Sequence, residues 1–213
     1  MAKLKSTLPN MLLSLTLICL ATGAILAFAN KYTVGPIAAS KTAALQAAIR
    51  EVTPEFDNDP TIEAYKEPTS DGDSLTIYPA KKSGELVGVA VESNTMNGFS
   101  GEIRVMVGFD HDGVLTNYSV LEHAETPGLG SKMDVWFKTD KNHQSVIGRS
   151  LAKGNLQVAK DGGDVDAITA STITSRAFLN AINRAYSAYK QTDTTTAATV
   201  NATTGAIQKE GEK

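Results

Sequence analysis

Cysteine is nearly missing from this chain: Cys19 is the single one among 213 residues. One thiol excludes an intrachain disulfide, and it excludes an iron–sulfur cluster ligated by this chain alone. Histidine is scarce as well, and His111, His123 and His143 do not form a metal-ligand spacing. The acidic turn Asp110-His111-Asp112-Gly113 lacks the full ligand loop of an EF-hand and reads as a hairpin turn. No metal site is expected. Aromatic residues make up only 6% of the chain, so its core is sparse in large rings. The net charge is −3 with no long basic run, which argues against nucleic acid as a partner. Redox chemistry, if present, needs a borrowed organic cofactor.

What the chain does have begins with an uncharged stretch from Met11 to Ala29. Its length suits one bilayer crossing, since about 20 apolar residues span as a helix. Lys3 and Lys5 precede it and Lys31 follows, so the positive-inside rule puts the N-terminus in the cytoplasm and the rest outside. A cleaved signal peptide is the alternative, because Ala27-Phe28-Ala29 resembles a small-x-small cleavage site. The run exceeds the usual signal core of about 7–15 residues, which favours a retained anchor. Cys19 packs in that anchor; bulky Leu17 and Ile18 before it do not suit a lipidation site.

Beyond the anchor, Ser40 to Val52 reads as a short helix with Ala44, Leu45, Ala48 and Ile49 on one face. Pro54 to Asp73 reads as loop. Leu75–Tyr78, Glu85–Val91, Glu102–Phe109 and Val114–Leu121 are rich in Val, Ile and Tyr and are separated by short turn signals, predicting an antiparallel sheet. A loop from Glu122 to Gly130 follows, then a helix through Met133, Val135, Trp136 and Phe137, and one more strand at Leu156–Ala159. Thr172 to Lys190 is helical, with Phe178, Ile182, Ala185, Tyr186 and Tyr189 as its apolar stripe. Gln191 to Lys213 is Thr- and Ala-rich and reads as a disordered tail. The expected organisation is a cytoplasmic N-terminus (1–9), a transmembrane anchor (10–30), a linker helix (31–53), one α+β domain outside the membrane (54–190) and the tail (191–213).

Two segments carry chemistry. Asp166-Ala-Ile-Thr169-Ala170-Ser171-Thr172-Ile173-Thr174-Ser175 crowds hydroxyl groups at a helix start, where unpaired N–H groups and the helix dipole favour a phosphate. Ordinary N-capping explains the same residues, and on local chemistry alone it is the better reading. The second segment is Glu125-Thr126-Pro127-Gly128-Leu129-Gly130. Its proline and glycines build a rigid turn whose backbone can approach a flat ligand closely. Taken alone it is a tight connection after a strand. Lys132 and Trp136 lie nearby, but a solvated lysine and a core tryptophan account for them. A satisfied or exposed histidine accounts for His123.

Taken together, these motifs, with Gly98-Phe99-Ser100-Gly101 and Val105-Met106-Val107-Gly108-Phe109-Asp110, resemble the flavin-binding G subunit of the Rnf electron transport complex. The C subunit of the sodium-pumping NADH:quinone reductase is a more distant resemblance. The likeness covers the anchor and the domain to about Lys190. It implies FMN joined through its phosphate to the last threonine of an Asp-x-x-Ser/Thr-Gly-Ala-Thr motif, whose counterparts here are Asp166, Thr169, Ala170, Ser171 and Thr172. The usual Gly-Ala is Ala170-Ser171 in this chain. A separate flavin transferase, using FAD as donor, modifies such proteins, and Asp166 and Thr169 would belong to its recognition motif. Thr174 and Ser175 are rival acceptors outside the motif spacing.

The resemblance further implies that the ring lies against Glu125, Thr126, Gly128, Leu129 and Gly130, with Ile173 and Thr174 beside the attachment point. It implies an electron relay with no catalytic residue of its own. That relay would work among other membrane subunits in the bacterial cytoplasmic membrane, its domain facing the periplasm. The whole complex would couple electron flow between ferredoxin and NAD to movement of sodium ions or protons. The opposing expectation is a cofactor-free anchored binding or scaffold domain, in which both motifs are only a cap and a turn.

Overall fold

The structure, a computed structural model, describes residues 7–69 and 72–210, with the side chains of the last helix followed as far as residue 192. Residues 1–6 of the expected cytoplasmic segment, with Lys3 and Lys5, and residues 211–213 of the expected tail lie outside it. The chain divides into a unit ending at Ala44 and a compact domain from Leu45 onward.

The first helix, α1 (Leu8–Val52), is continuous. It therefore runs without a break from the anchor into the helical pattern that begins at Ser40, and it carries Pro36 inside it. A proline removes one backbone hydrogen bond without ending a helix whose neighbouring turns remain bonded. This is the one helix among the described residues that is long and apolar enough to cross a membrane. Leu12, Leu15, Ile18, Leu20, Ile25 and Phe28 on it are exposed.

The domain is built on a five-stranded antiparallel meander in the order β1 (Tyr65–Pro68), β2 (Ser74–Lys82), β3 (Glu85–Gly98), β4 (Gly101–Asp110), β5 (Leu115–His123). Side chains alternate between its faces. Ile103, Val105, Val107 and Phe109 of β4 join one core, while Met106 joins a smaller one on the other side. Coverage of both faces explains why Val105 to Phe109 is an unbroken apolar run. The helix α3 (Thr172–Glu210) covers the larger core, packing chiefly on β3 and β4. There Phe178 stacks on Phe137 at 4.6 Å and meets Tyr118 edge-on at 4.7 Å. The Tyr118 hydroxyl donates to the Met133 carbonyl at 2.6 Å, fixing α2 (Met133–Trp136) against the sheet. Burial pushes the Tyr118 phenol well above its ordinary pKa.

The other face is covered by the end of α1. Ala48, Ile49 and Val52 pack on Tyr78, Ala90 and Met106. The last two turns of α1 belong to this smaller core, because their apolar face has a sheet to bury against. The side chain of Thr116 donates to the Val52 carbonyl, and Asn117 Nδ2 donates to Glu51 O at 3.1 Å. β5 thereby satisfies carbonyls that a helix end leaves unpaired. A Cβ at Gly108 would stand 1.8 Å from the Val52 carbonyl oxygen, so only glycine lets the helix end lie this close.

Three further differences from expectation have local causes. Strand β1 falls within the stretch read as loop; it is a four-residue edge strand, Tyr-Lys-Glu-Pro, with a single aromatic residue and no β-branched one to mark it. Leu156–Ala159 is no strand: Val158 bridges Val165 in isolation, and a 3-10 turn occupies Ala159–Asp161. The Leu156 backbone pairs instead with the Asn183 side chain in both directions. Finally, α3 continues past Lys190 to Glu210, through residues read as disordered. That segment is proline-free and alanine-rich, and helical hydrogen bonds are local, so the backbone can propagate there.

Candidate functional site

The two motifs meet, and a third segment meets them. The tip of the β3–β4 hairpin, the Glu125–Gly130 turn and the start of α3 enclose a cleft of ≈ 340 Å³. Such a volume lies at the lower end of small-molecule sites, about 300–1,000 Å³. Its lining is Phe99, Glu125, Thr126, Leu129, Gly130 and Ala170 through Thr174. Of the residues expected at a flavin, Gly128 and Thr169 are not in that lining; both are exposed beside it. Phe99 was not expected there. The two flanking glycines of its hairpin marked the turn, but nothing local showed that the turn folds over the cleft.

At the helix start, the Ser175 N–H donates to the Ser171 carbonyl at 3.0 Å, which makes Ser171 the N-cap and Thr172 the first helical residue. Among the described residues, no acceptor is found for the N–H groups of Thr172, Ile173 and Thr174. Just before them, the Ser171 N–H closes a turn onto the Ile168 carbonyl at 3.0 Å. Ala170 is the third residue of that turn, at φ +62°, while Thr169 has negative φ. This is the type II pattern, which calls for glycine at the third position. The glycine of the family motif therefore has a conformational reason, and alanine here adopts the same conformation under strain.

The hydroxyls of the segment separate sharply by environment. Thr174 is 1% exposed and donates through Oγ1 to Glu125 Oε2 at 2.6 Å. Ser175 is 0% exposed; its Oγ donates to the Ser171 carbonyl and accepts from the Ile168 N–H, both at 2.9 Å. Thr172 is half-buried at the cleft, and Thr169 is exposed. Asp166 points elsewhere: its carboxylate accepts from the His143 N–H at 3.1 Å, and its carbonyl accepts from Trp136 Nε1 at 2.9 Å. Asp166 and Trp136 pin the loop that leads to the helix.

Glu125 is 4% exposed and both its carboxylate oxygens are engaged, Oε1 accepting from the Ser100 N–H at 3.0 Å and Oε2 from Thr174. Its own N–H donates to His123 Nδ1 at 3.1 Å, which gives His123 a local structural role. A Cβ on Gly98 would come within 2.7 Å of Glu125 Oε1, and one on Gly130 within 2.6 Å of Oε2. Both glycines are needed for this carboxylate to fit. The turn itself is closed by the Thr126 carbonyl, which accepts from the N–H groups of Leu129 and Ser131.

A second cleft of ≈ 550 Å³ shares Ile173 and runs along α3 past Arg176, Asn180 and Asn183. It is the larger of the two, but the smaller one holds Thr172 and the unpaired N–H groups. The Arg176 guanidinium grips Asp161 through Nε at 2.7 Å and Nη2 at 2.6 Å, and this pairing holds the Asp161 carboxyl below its usual range. A half-exposed hydroxyl, free helix N–H donors and an adjoining apolar wall of Phe99, Leu129 and Ile173 fit a phosphate-bearing flat ring. The residues present suit FMN.

Known proteins agree. The sequence model of the FMN-binding domain family matches residues 98–187, a span that holds all three walls of the cleft. The chain is therefore of the flavin-binding class. It is 32% identical to the G subunit of the ion-translocating oxidoreductase complex of Aliivibrio fischeri, across 87% of this chain and 91% of that one. The corresponding protein of Cereibacter sphaeroides is 36% identical across 81% and 80%. That of Stutzerimonas stutzeri is 33% identical across 81% and 77%. The chain belongs to the family of G subunits of ion-translocating oxidoreductase complexes.

Proposed function

We propose that this chain is the anchored flavoprotein relay of an Rnf-type complex, carrying FMN as a phosphoester on Thr172. The carrying observation is the sorting of hydroxyls: Thr174 and Ser175 are buried and committed to hydrogen bonds, whereas Thr172 opens on the cleft. FMN bound there supplies reversible electron uptake by its ring. The residues of the chain hold and shield it. The N–H groups at the start of α3 and the helix dipole favour the remaining phosphate charge. Phe99, Leu129 and Ile173 offer apolar surface to the ring, and Thr126 and the turn backbone meet its polar edge.

Electrons pass between membrane subunits of the complex, in a path linking ferredoxin and NAD and coupled to ion movement. The anchor holds the domain on the outer side of the cytoplasmic membrane, where a covalent bond prevents loss of a flavin that could not readily be replaced. A flavin transferase installs it, reading Asp166 and Thr169 as part of its motif. A cofactor-free scaffold is disfavoured by the match to an FMN-binding family across the whole cleft.

Intact-mass measurement and ultraviolet fluorescence on a denaturing gel test the attachment, using protein made with a flavin transferase. Wild type is expected to gain one FMN phosphoester, and Thr172→Ala to lose mass and fluorescence together. Labelling retained in Thr172→Ala but lost in Thr169→Ala would move the bond to the other accessible hydroxyl. Wild type with the mass of the bare polypeptide would refute the reading.

A further inference from the structure

The buried carboxylate of Glu125 has a part that its place in a turn does not suggest. It touches all three walls of the cleft: it lies on the Glu125–Gly130 turn, accepts from Ser100 at the hairpin tip, and accepts from Thr174 in the first turn of α3. Both oxygens are spent on these walls, so it acts on a bound ring through position and charge. We infer that Glu125 is a positioning residue that fixes the alignment of the three walls and, as a fixed negative charge beside the cleft, holds the flavin potential low. The inference rests on the proposed FMN site.

The electrostatic part follows from where charge goes. Each electron that the ring takes up without a proton adds negative charge to the cleft. A carboxylate sealed from water at 4% exposure opposes that charge with little screening. It favours the oxidised form and makes the reduced form a stronger donor. The positioning part follows from geometry. Without the carboxylate the Ser100 N–H loses its acceptor and the buried Thr174 hydroxyl loses its own, while Gly98 and Gly130 face an empty space shaped for it.

The hydrogen-bond chemistry lets the two parts be separated. In Glu125→Gln the side-chain carbonyl can still accept from the Ser100 N–H. The amide can donate to Thr174, because a hydroxyl serves as acceptor as readily as donor. The shape and both contacts survive, and only the charge is removed. In Glu125→Ala the shape is lost.

The test is an equilibrium redox titration of the full-length, covalently flavinylated protein against a reference dye. At the ambient potential where wild type is half reduced, Glu125→Gln is expected to raise the ratio of reduced to oxidised flavin roughly tenfold, about 30 mV for a two-electron couple. A rise of at least roughly threefold supports the inference; a smaller rise, no change or a fall overturns it, as does a folded Glu125→Gln protein that carries no flavin. Intact mass reads the second arm: Glu125→Ala is expected to acquire less flavin than wild type or Glu125→Gln under identical expression. Full loading of Glu125→Ala overturns the positioning role. A wild type without covalent flavin would instead sink the site assignment on which the inference stands.

Discussion

Replacing Ala170 with glycine probes the conformation of the attachment segment directly. Ala170 sits at φ +62° in the third position of the turn closed by Ser171 and Ile168, one residue before the helix cap. A left-handed conformation costs an L-residue roughly 1–2 kcal/mol, and glycine adopts it without that cost. Glycine also gives the unfolded chain more freedom, which opposes the gain by about 0.4–1 kcal/mol. Ala170→Gly should therefore stabilise the domain by about 0.5–1 kcal/mol net. For a domain of this size that corresponds to a rise of roughly 1–4 °C in Tm. Because Ala170 is exposed, no packing is lost to confuse the sign. Thermal unfolding of the detergent-solubilised protein measures the shift, with Ala170→Val as the opposite arm. A β-branched side chain fits positive φ worse than alanine does, so Tm should fall. Unchanged Tm in both variants, or a fall for glycine with none for valine, would show that residue 170 does not hold this backbone conformation.

Two further outcomes concern the junction of α1 with the sheet. Gly108→Ala should lift the end of α1 from β4 and expose Ile49 and Val52, whose burial is worth about 1.5–3 kcal/mol each; faster amide exchange at residues 49–52 measures it. Glu51 supplies a pH dependence. Partial burial raises its pKa, but hydrogen bonds from Lys138 and Ser119 outweigh this and leave it below the ordinary carboxylate value. A depressed folded pKa contributes stability above the unfolded value of about 4.3, and that contribution is lost as pH falls through the folded one. Urea unfolding from pH 6 down to pH 3 should show a smaller acid loss in Lys138→Met than in wild type. The difference should stay below about 1 kcal/mol because the pair is partly exposed to solvent.

The readable parts of the chain were those whose signals are local. The uncharged run, the β-rich segments between turns and the stripe on α3 each announce an element within one continuous stretch of sequence. So do the two motifs, because their glycines, proline and hydroxyls state what the backbone must do. Burial of polar groups is not local. β3 continues through Ser93 and Thr95, which face α3 and bond to the Ala181 carbonyl and the Asn180 side chain, so its apolar pattern stops before the strand does. Glu125 likewise stands in a turn where no local pattern marks burial, and only Ser100 and Thr174, distant in sequence, make it a buried residue. The same distance hid Phe99. The hydroxyls could be ranked by motif spacing, but their environments exist only once α3 meets the turn.

The close approach of α1 to Gly108 also decides where this protein can be cut. A soluble form started at Pro54, after the helix, would leave Tyr78, Ala90 and Met106 without the residues that cover them and would leave Thr116 and Asn117 facing no carbonyl. The border of the domain runs through the helix at Leu45 rather than at its end. A soluble version that keeps residues from Leu45 onward retains both faces of the sheet closed, and removes the apolar segment without opening the fold.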